Sequence, residues 1–262
     1  MSLKVLDIGI VGLDSNLTKS YIMCLNKYGY RVKNIVIISR PTSVSFTNRV
    51  KGKIKKILQN LILFGYKSHF EAFAGFRLDF LGRFNYALHA EEVTILTASN
   101  INEKNVFETV TSASPPFFIY SGGGIVKQQY FSTKTLLHAH PGYLPNVKGS
   151  HGTLWSLLTR GKFGCSCLIM DKGIDTGKIL LAKEYETKHL KGLSDQAERI
   201  ELIMNYYFDP IIRAKVMCEA VVSRVCGNKL SLDDYKENDS SAPPFYFMHQ
   251  RLRRYVVKKY LC

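Results

Sequence analysis

Two histidines and an aspartate offer the most direct chemistry in this sequence. His138 and His140 end an apolar run, Thr135–His140, that stops at Pro141-Gly142. On a strand, residues two apart point the same way, so both imidazoles would face one site at the strand exit. Asp175 lies in Asp171-Lys-Gly-Ile-Asp-Thr-Gly177, a turn-rich loop between two further apolar runs. Imidazoles titrate near neutrality, and a carboxylate beside one orients the ring and raises its pKa, so the set suits proton transfer. His-x-His with Asp is also a metal-ligand set. Hydrolases that use it on a barrel strand need ligands spread over ~250 residues, and only 122 residues follow His140. The expectation is a site without metal. A blander alternative keeps one or both histidines as satisfied core residues, and the glycine and proline punctuation around them argues against it.

The elements that must position these residues read as alternating strands and helices. Strands are expected at 4–11, 32–38, 92–96, 117–120, 135–140, 165–170 and 178–185. Helices are expected at 17–25, 102–112, 154–159 and 192–220. Asp14-Ser15-Asn16 supplies N-cap candidates for the first helix, and residues 4–38 form a βαβ-like unit. Gly9 and Gly12 fall short of G-x-G-x-x-G, which weakens a nicotinamide reading. The pattern implies an α/β fold, a Rossmann-like, mainly parallel sheet. Such sheets hold ligands beyond the carboxyl ends of their strands. A second such end is the run from 117–120 into Ser121-Gly-Gly-Gly124, where glycines allow close approach of a flat ring and equally allow a tight loop. A domain over residues 1–190 is expected, followed by a small C-terminal extension, 191–262, with a linker at 231–244.

Charge separates one further module. The chain carries 36 Lys+Arg against 21 Asp+Glu, a net +15, with 46% hydrophobic and 22% charged residues. That composition excludes a disordered chain, a collagen-like fibre and a coiled coil. Residues 27–85 hold twelve basic and two acidic residues, +10 of the +15. Apolar residues at 50, 54, 57, 58, 61 and 64 mark one helical face with Lys51, Lys53, Lys55 and Lys56 largely off it, and phenylalanines at 70, 73, 76, 80 and 84 continue a similar stripe. The spacing predicts a basic, Phe-rich helical module at about 45–85. It either packs on the core with a solvated lysine face or touches a partner, nucleic acid or an anionic membrane surface. No apolar run reaches the roughly 18–20 residues of a membrane span, and the N-terminus lacks a signal-peptide layout. Six scattered cysteines read as reduced thiols, so a cytoplasmic location is expected.

Taken jointly, His138-Ala-His-Pro-Gly-Tyr-Leu-Pro-Asn-Val-Lys-Gly149, Trp155, Gly161-Lys-Phe-Gly164 and Met170-Asp-Lys-Gly-Ile-Asp-Thr-Gly-Lys-Ile-Leu180 resemble the folate-dependent formyltransferases. Their signature is Asn-x-His-Pro-x-Leu-Leu-Pro followed by Asp-x-Gly-x-Asp-x-Gly. The match covers about residues 117–185 in order and spacing. The resemblance implies the formyltransferase fold and transfer of a formyl group from N10-formyltetrahydrofolate to a primary amine. It places His140 and Asp175 on the catalytic histidine and aspartate. By position it implicates Gly122, Gly123, Gly124, Ile125, Asp171 and Gly173 in holding the folate. Ser15 and Asn16 match a substrate-binding loop of glycinamide ribonucleotide formyltransferase. Asp14 stands there in place of glycine and would repel phosphate, so plain helix capping competes. His151 is a further candidate for lining the substrate site, or for the start of the helix that follows.

The chain departs from the signature at one catalytic position. The family's asparagine is His138 here. Asparagine always offers an N–H to the formyl oxygen, whereas a neutral imidazole donates from one nitrogen only. A protonated His138 would donate better, but two neighbouring cations would oppose each other. A working enzyme is expected, with a catalytically silent ligand-binding or interaction protein on the same fold as the competing class. Only 87 residues follow Asp175, too few for the tRNA-binding domain of methionyl-tRNA formyltransferases. An amino sugar nucleotide is therefore expected as acceptor ahead of glycinamide ribonucleotide, and tRNA is disfavoured. Cys165 and Cys167 read as core, Trp155 as packing and His249 as surface.

Overall fold

The computed structural model describes residues 3–41, 61–78, 80, 84–226, 229–238, 241 and 243–262. Seven strands form one sheet in the order β3-β2-β1-β4-β5-β6-β7. They are β1 (Lys4–Leu13), β2 (Tyr30–Ser39), β3 (Ala90–Thr97), β4 (Phe117–Tyr120), β5 (Thr135–His140), β6 (Phe163–Ile169) and β7 (Ile179–Tyr185). The first five are parallel, and β6 and β7 run antiparallel at one edge. The order reverses between β1 and β4. Their carboxyl ends lead into the Ser15-Asn16 loop and the glycine loop, the crevice where open α/β sheets take ligands.

The central strands are buried on both faces, as parallel sheets require. In β2, Val32, Ile35 and Ile37 join one core and Val36 and Ile38 the other, the period of two made visible. Helix α3 (Lys104–Ser112) covers the smaller core through Val106 and Val110. The larger core receives α1 (Asn16–Lys27), α4 (Gly152–Arg160) and α6 (Asp209–Val222). Eight apolar side chains of α6, from Ile211 to Val221, are buried, so this helix is an interior layer and not a half-solvated one. The same cluster holds Leu6 and Ile8 of β1, Leu157 of α4, Val216 of α6, and Val256, Val257 and Leu261 of α7 (Gln250–Leu261). Position 190 therefore marks no break in the core.

The helical run expected over 192–220 is divided. Helix α5 (Ala197–Ile203) passes through a π-turn, Met204–Phe208, into α6. Pro210 lacks the N–H that an α-helix would direct at the Tyr206 carbonyl, and Asn16 Nδ2 donates to that carbonyl instead at 3.1 Å.

The lysine face expected at 50–60 lies outside the described residues, while 61–64 are helical. The phenylalanine stripe is not one helix. Helix α2 (Lys67–Ala74) ends at Gly75, which takes a left-handed φ of 72° as its C-cap. Phe70 and Phe80 are nevertheless buried, stacking on Tyr207 at 5.1 and 5.8 Å. The spacing marked residues that pack, and the glycine decided that they pack from different segments. Among the described residues, no helix is long and apolar enough to cross a membrane.

Candidate active site

Strand β5 outruns its ladder with β4 after Leu137, so its last three residues project into the crevice with β6 as the paired neighbour. His138 and His140 sit there, and the β6–β7 loop brings Asp175 against them. His140 is buried, with Nδ1 3.3 Å from Asp175 Oδ2. Its Nε2 lies 2.9 Å from the Val147 carbonyl oxygen. A carbonyl only accepts, so Nε2 carries hydrogen and Nδ1 is the nitrogen that exchanges a proton with Asp175. Burial pushes the His140 imidazole below its ordinary value, while Asp175 and the Val147 carbonyl push it back.

His138 is half-buried, and its Nδ1 lies 3.3 Å from the Tyr120 carbonyl oxygen. The same reasoning puts hydrogen on Nδ1. Burial, reinforced by the Arg213 charge, lowers its pKa to about 3. The ring is thus neutral at pH 7, and its Nε2 offers a lone pair. In this state Nε2 can accept a hydrogen bond.

Asp175 adopts a left-handed φ of 52°, uncommon for a residue other than glycine. Its surroundings hold that conformation. Gly149 N–H donates to Oδ2 at 2.8 Å, and Asn238 Nδ2 donates to the Asp175 and Gly177 carbonyls at 2.7 and 3.1 Å. Backbone strain fixed by several partners is a recurrent property of functional loops. One donor atom from each of His138, His140 and Asp175 lies within 4.8 Å of the others. A tetrahedral zinc ion ~2.1 Å from each would set them about 3.4 Å apart. The His140–Asp175 pair meets that spacing. The set as a whole is looser; each imidazole bonds one nitrogen to a backbone carbonyl and turns the other toward the cluster.

The remaining expected residues separate by position. Gly122, Gly123 and Gly124 form the β4 exit loop, anchored by Tyr120 hydroxyl donating to the Gly123 carbonyl at 2.8 Å. A Cβ added at Gly123 or Gly124 would meet no atom within 4 Å, so the backbone there borders open space. Ile125 is 75% exposed on the same loop, and its carbonyl accepts from Asn102 at 2.8 Å. Asp171 is spent within its own loop, accepting from Gly173 N–H at 2.9 Å and the Thr176 hydroxyl at 2.6 Å. Ser15 caps α1, accepting from Thr18 N–H at 3.3 Å. Ser15 and Asn16 line a cavity of about 310 Å3 with Asn205, Tyr206 and Asp209. His151 also takes a left-handed φ, 55°, and its Nδ1 accepts from Met248 N–H at 2.9 Å. Cys165 and Cys167 are buried in β6, Trp155 stacks on Phe245 at 4.6 Å, and His249 caps α7.

Sequence reasoning missed three contributors: Val147, Asn238 and Arg213. Val147 acts through its carbonyl, which no side-chain pattern reports. Asn238 lies in the stretch expected as a linker, and Arg213 on a helix expected as an extension. No local signal marked either.

No protein-family model matches the chain. It is 30% identical over 93 residues to the methionyl-tRNA formyltransferase of Finegoldia magna, covering 34% of this chain and 30% of that protein. It is 24% identical over 162 residues to one from Campylobacter jejuni, covering 59% of this chain and 52% of the relative. The alignments thus span between about a third and half of these curated relatives. Among solved structures, glycinamide ribonucleotide transformylase 1 from Symbiobacterium toebii superposes with a TM-score of 0.51 at 14% identity, covering 88% of this chain and 95% of that one. The chain is thus similar to formyltransferases, in fold to the transformylase and in the aligned stretches of its sequence to the methionyl-tRNA formyltransferases.

Proposed function

We propose that this chain transfers a formyl group from N10-formyltetrahydrofolate to the primary amine of a small acceptor. The observation that carries the reading is the buried His140–Asp175 pair, 3.3 Å apart, at a strand exit of this fold. The formyl donor, when bound, supplies an electrophilic carbonyl carbon. The open backbone at Gly123 and Gly124 suits close approach of a flat ring. Gly122, Ile125 and the 171–175 loop, with Asp171 and Gly173 fixing its turn, complete that wall. His138 Nε2 accepts a hydrogen bond from the attacking amine and orients its lone pair. The amine nitrogen bonds the formyl carbon, the bond from that carbon to N10 breaks, the amine gives up one proton and N10 of the leaving tetrahydrofolate takes one. The His140 Nδ1–Asp175 Oδ2 pair holds a proton that stabilises the oxyanion in between and relays this exchange. Ser15, Asn16 and His151 border the acceptor side.

The acceptor is an amino sugar, carried on a nucleotide. The described residues lining the cavity at Ser15 and Asn16 include the carboxylate of Asp209 and no cationic side chain. That lining suits hydroxyls and an amine better than a phosphate, so any phosphate lies outside this cavity. Curated similarity to methionyl-tRNA formyltransferases supports a second acceptor, methionyl-tRNA.

The test is turnover of N10-formyltetrahydrofolate with a panel of amino sugar nucleotides, glycinamide ribonucleotide and methionyl-tRNA. Formylation of one acceptor is expected. Retained folate binding with no turnover on any amine would establish the silent binding protein instead.

A further inference from the structure

Arg213 lies on α6, outside every motif, yet it reaches the centre of the site. Its side chain is 12% exposed, and Nε donates to the Ala139 carbonyl at 2.7 Å. Ala139 is the residue between the two histidines. The guanidinium is held in turn by Asp209, with Nη1 3.4 Å from Oδ2, and Thr153 at the start of α4 donates to Asp209 Oδ1 at 3.1 Å. A buried chain of polar contacts therefore ties α4 and α6 to the free end of β5. Lysine could place a charge there but not the planar fork that bonds a carbonyl and a carboxylate together.

The groups around His138 define what that charge does. On β4 there is the Tyr120 carbonyl, on β5 there is His140, the β6–β7 loop contributes Asp175, and α6 contributes Arg213 and Asp209. The facing residue on β6 is Leu168, which is apolar. Asp175 favours a proton on His138, while burial, Arg213 and His140 oppose it. A protonated His138 would lose the lone pair that meets the amine and would set a second cation beside the proton held by His140 and Asp175.

We propose that Arg213 is the positioning residue of this site: through its bond to the Ala139 carbonyl it locks the stretch of β5 that carries the two histidines and so fixes both rings. The activity arm of the test rests on the formyl-transfer reading, and the titration arm does not. Histidine ring resonances are followed by NMR against pH in the wild type, Arg213→Met and Arg213→Lys, alongside kcat and KM profiles. In Arg213→Met the His138 midpoint is expected to rise by at least about one pH unit toward the ordinary value. The acid limb of kcat should move up with it, and kcat at neutral pH should fall about tenfold or more. KM for the formyl donor should stay within about twofold, since uniform binding is untouched. Arg213→Lys should keep the low midpoint and recover part of kcat.

An unchanged His138 midpoint in Arg213→Met would overturn the proposal, as would a lysine variant no better than the methionine one. If Arg213→Met does not fold because the Asp209 carboxylate loses its cation, Arg213→Met/Asp209→Asn removes both charges, and its ring titration is read the same way; its kinetics are not, because Asp209 also lines the acceptor cavity. A wild type inactive on every amine would defeat the formyl-transfer reading, and the ring titration would still decide the role of Arg213.

Discussion

At residue scale, the proposed site divides its work between a proton-sharing pair and a neutral acceptor. His140→Ala or Asp175→Asn should lower kcat by about 10²–10⁴, the usual worth of a positioned acid or base, measured on whichever amine is turned over. His138→Asn should keep or raise activity, because asparagine restores the residue of the family signature and its amide oxygen can still accept. A loss as large as for His140→Ala would show that the imidazole has chemistry of its own. Stability follows from the same charges. His138 titrates lower in the folded chain than in the unfolded one, so the unfolded state binds more protons as pH falls. Its stabilising contribution is complete above pH ~6.5 and is lost progressively as pH falls toward about 3. Thermal melts from pH 7.5 to 5 should show the wild type losing about 1–2 kcal/mol more than His138→Asn. Parallel melting curves would refute that assignment.

At the scale of elements, the turn after β5 is fitted to its neighbours without slack. A Cβ at Gly142 would sit 2.4 Å from the Val147 carbonyl oxygen and 2.5 Å from His140 Nε2. Those are the two partners of the hydrogen bond that fixes the His140 ring. Gly142→Ala should therefore cost about 1–3 kcal/mol of stability, as overpacking does. It should depress kcat far more than affinity for either substrate. Urea melts and steady-state kinetics check both parts, and a variant with wild-type kcat would show that this hydrogen bond is dispensable. Three residues late in the chain work at the same level. Lys236 bridges to Ile179, Phe245 bridges to Gly149, and Asn238 reaches the Asp175 loop. The 231–244 composition reads as a linker because single backbone bridges, such as that of Lys236, leave no apolar period.

At the scale of the whole molecule, α6 is the interior layer on which the large core closes. Phe208, at its entry, is fully buried, tilted against Phe163 at 4.6 Å and stacked on Phe73 at 5.5 Å. Phe208→Ala should cost about 3–5 kcal/mol and still unfold in one transition if the chain beyond 190 shares the core. A chain ended after residue 190 should fail to fold cooperatively, because β5, β6 and β7 would lose the helix that covers them. Two separate transitions in the full chain would contradict this. The net +15 belongs to this scale as well. Two-thirds of it falls in residues 27–85, outside the stretch of sequence that carries the site residues, and the chemistry proposed for the site does not draw on it.

The sequence by itself determined the alternation of strands and helices, the two strand exits, and the shared side of His138 and His140, whereas the partnership of Asp175 with His140 followed only from the resemblance. The first three rest on local periods of two and 3.6 and on glycine and proline punctuation, which neighbouring residues carry among themselves. It also marked which phenylalanines are apolar anchors, though not that Gly75 would divide their stripe. Only the tertiary structure decided which ring nitrogens carry hydrogen, since the Tyr120 and Val147 carbonyls make that choice through folded contacts. It alone brought Arg213 to Ala139 and Asn238 to Asp175. Those pairings join residues far apart in the chain through single polar contacts, and such contacts leave no pattern in the sequence around either partner.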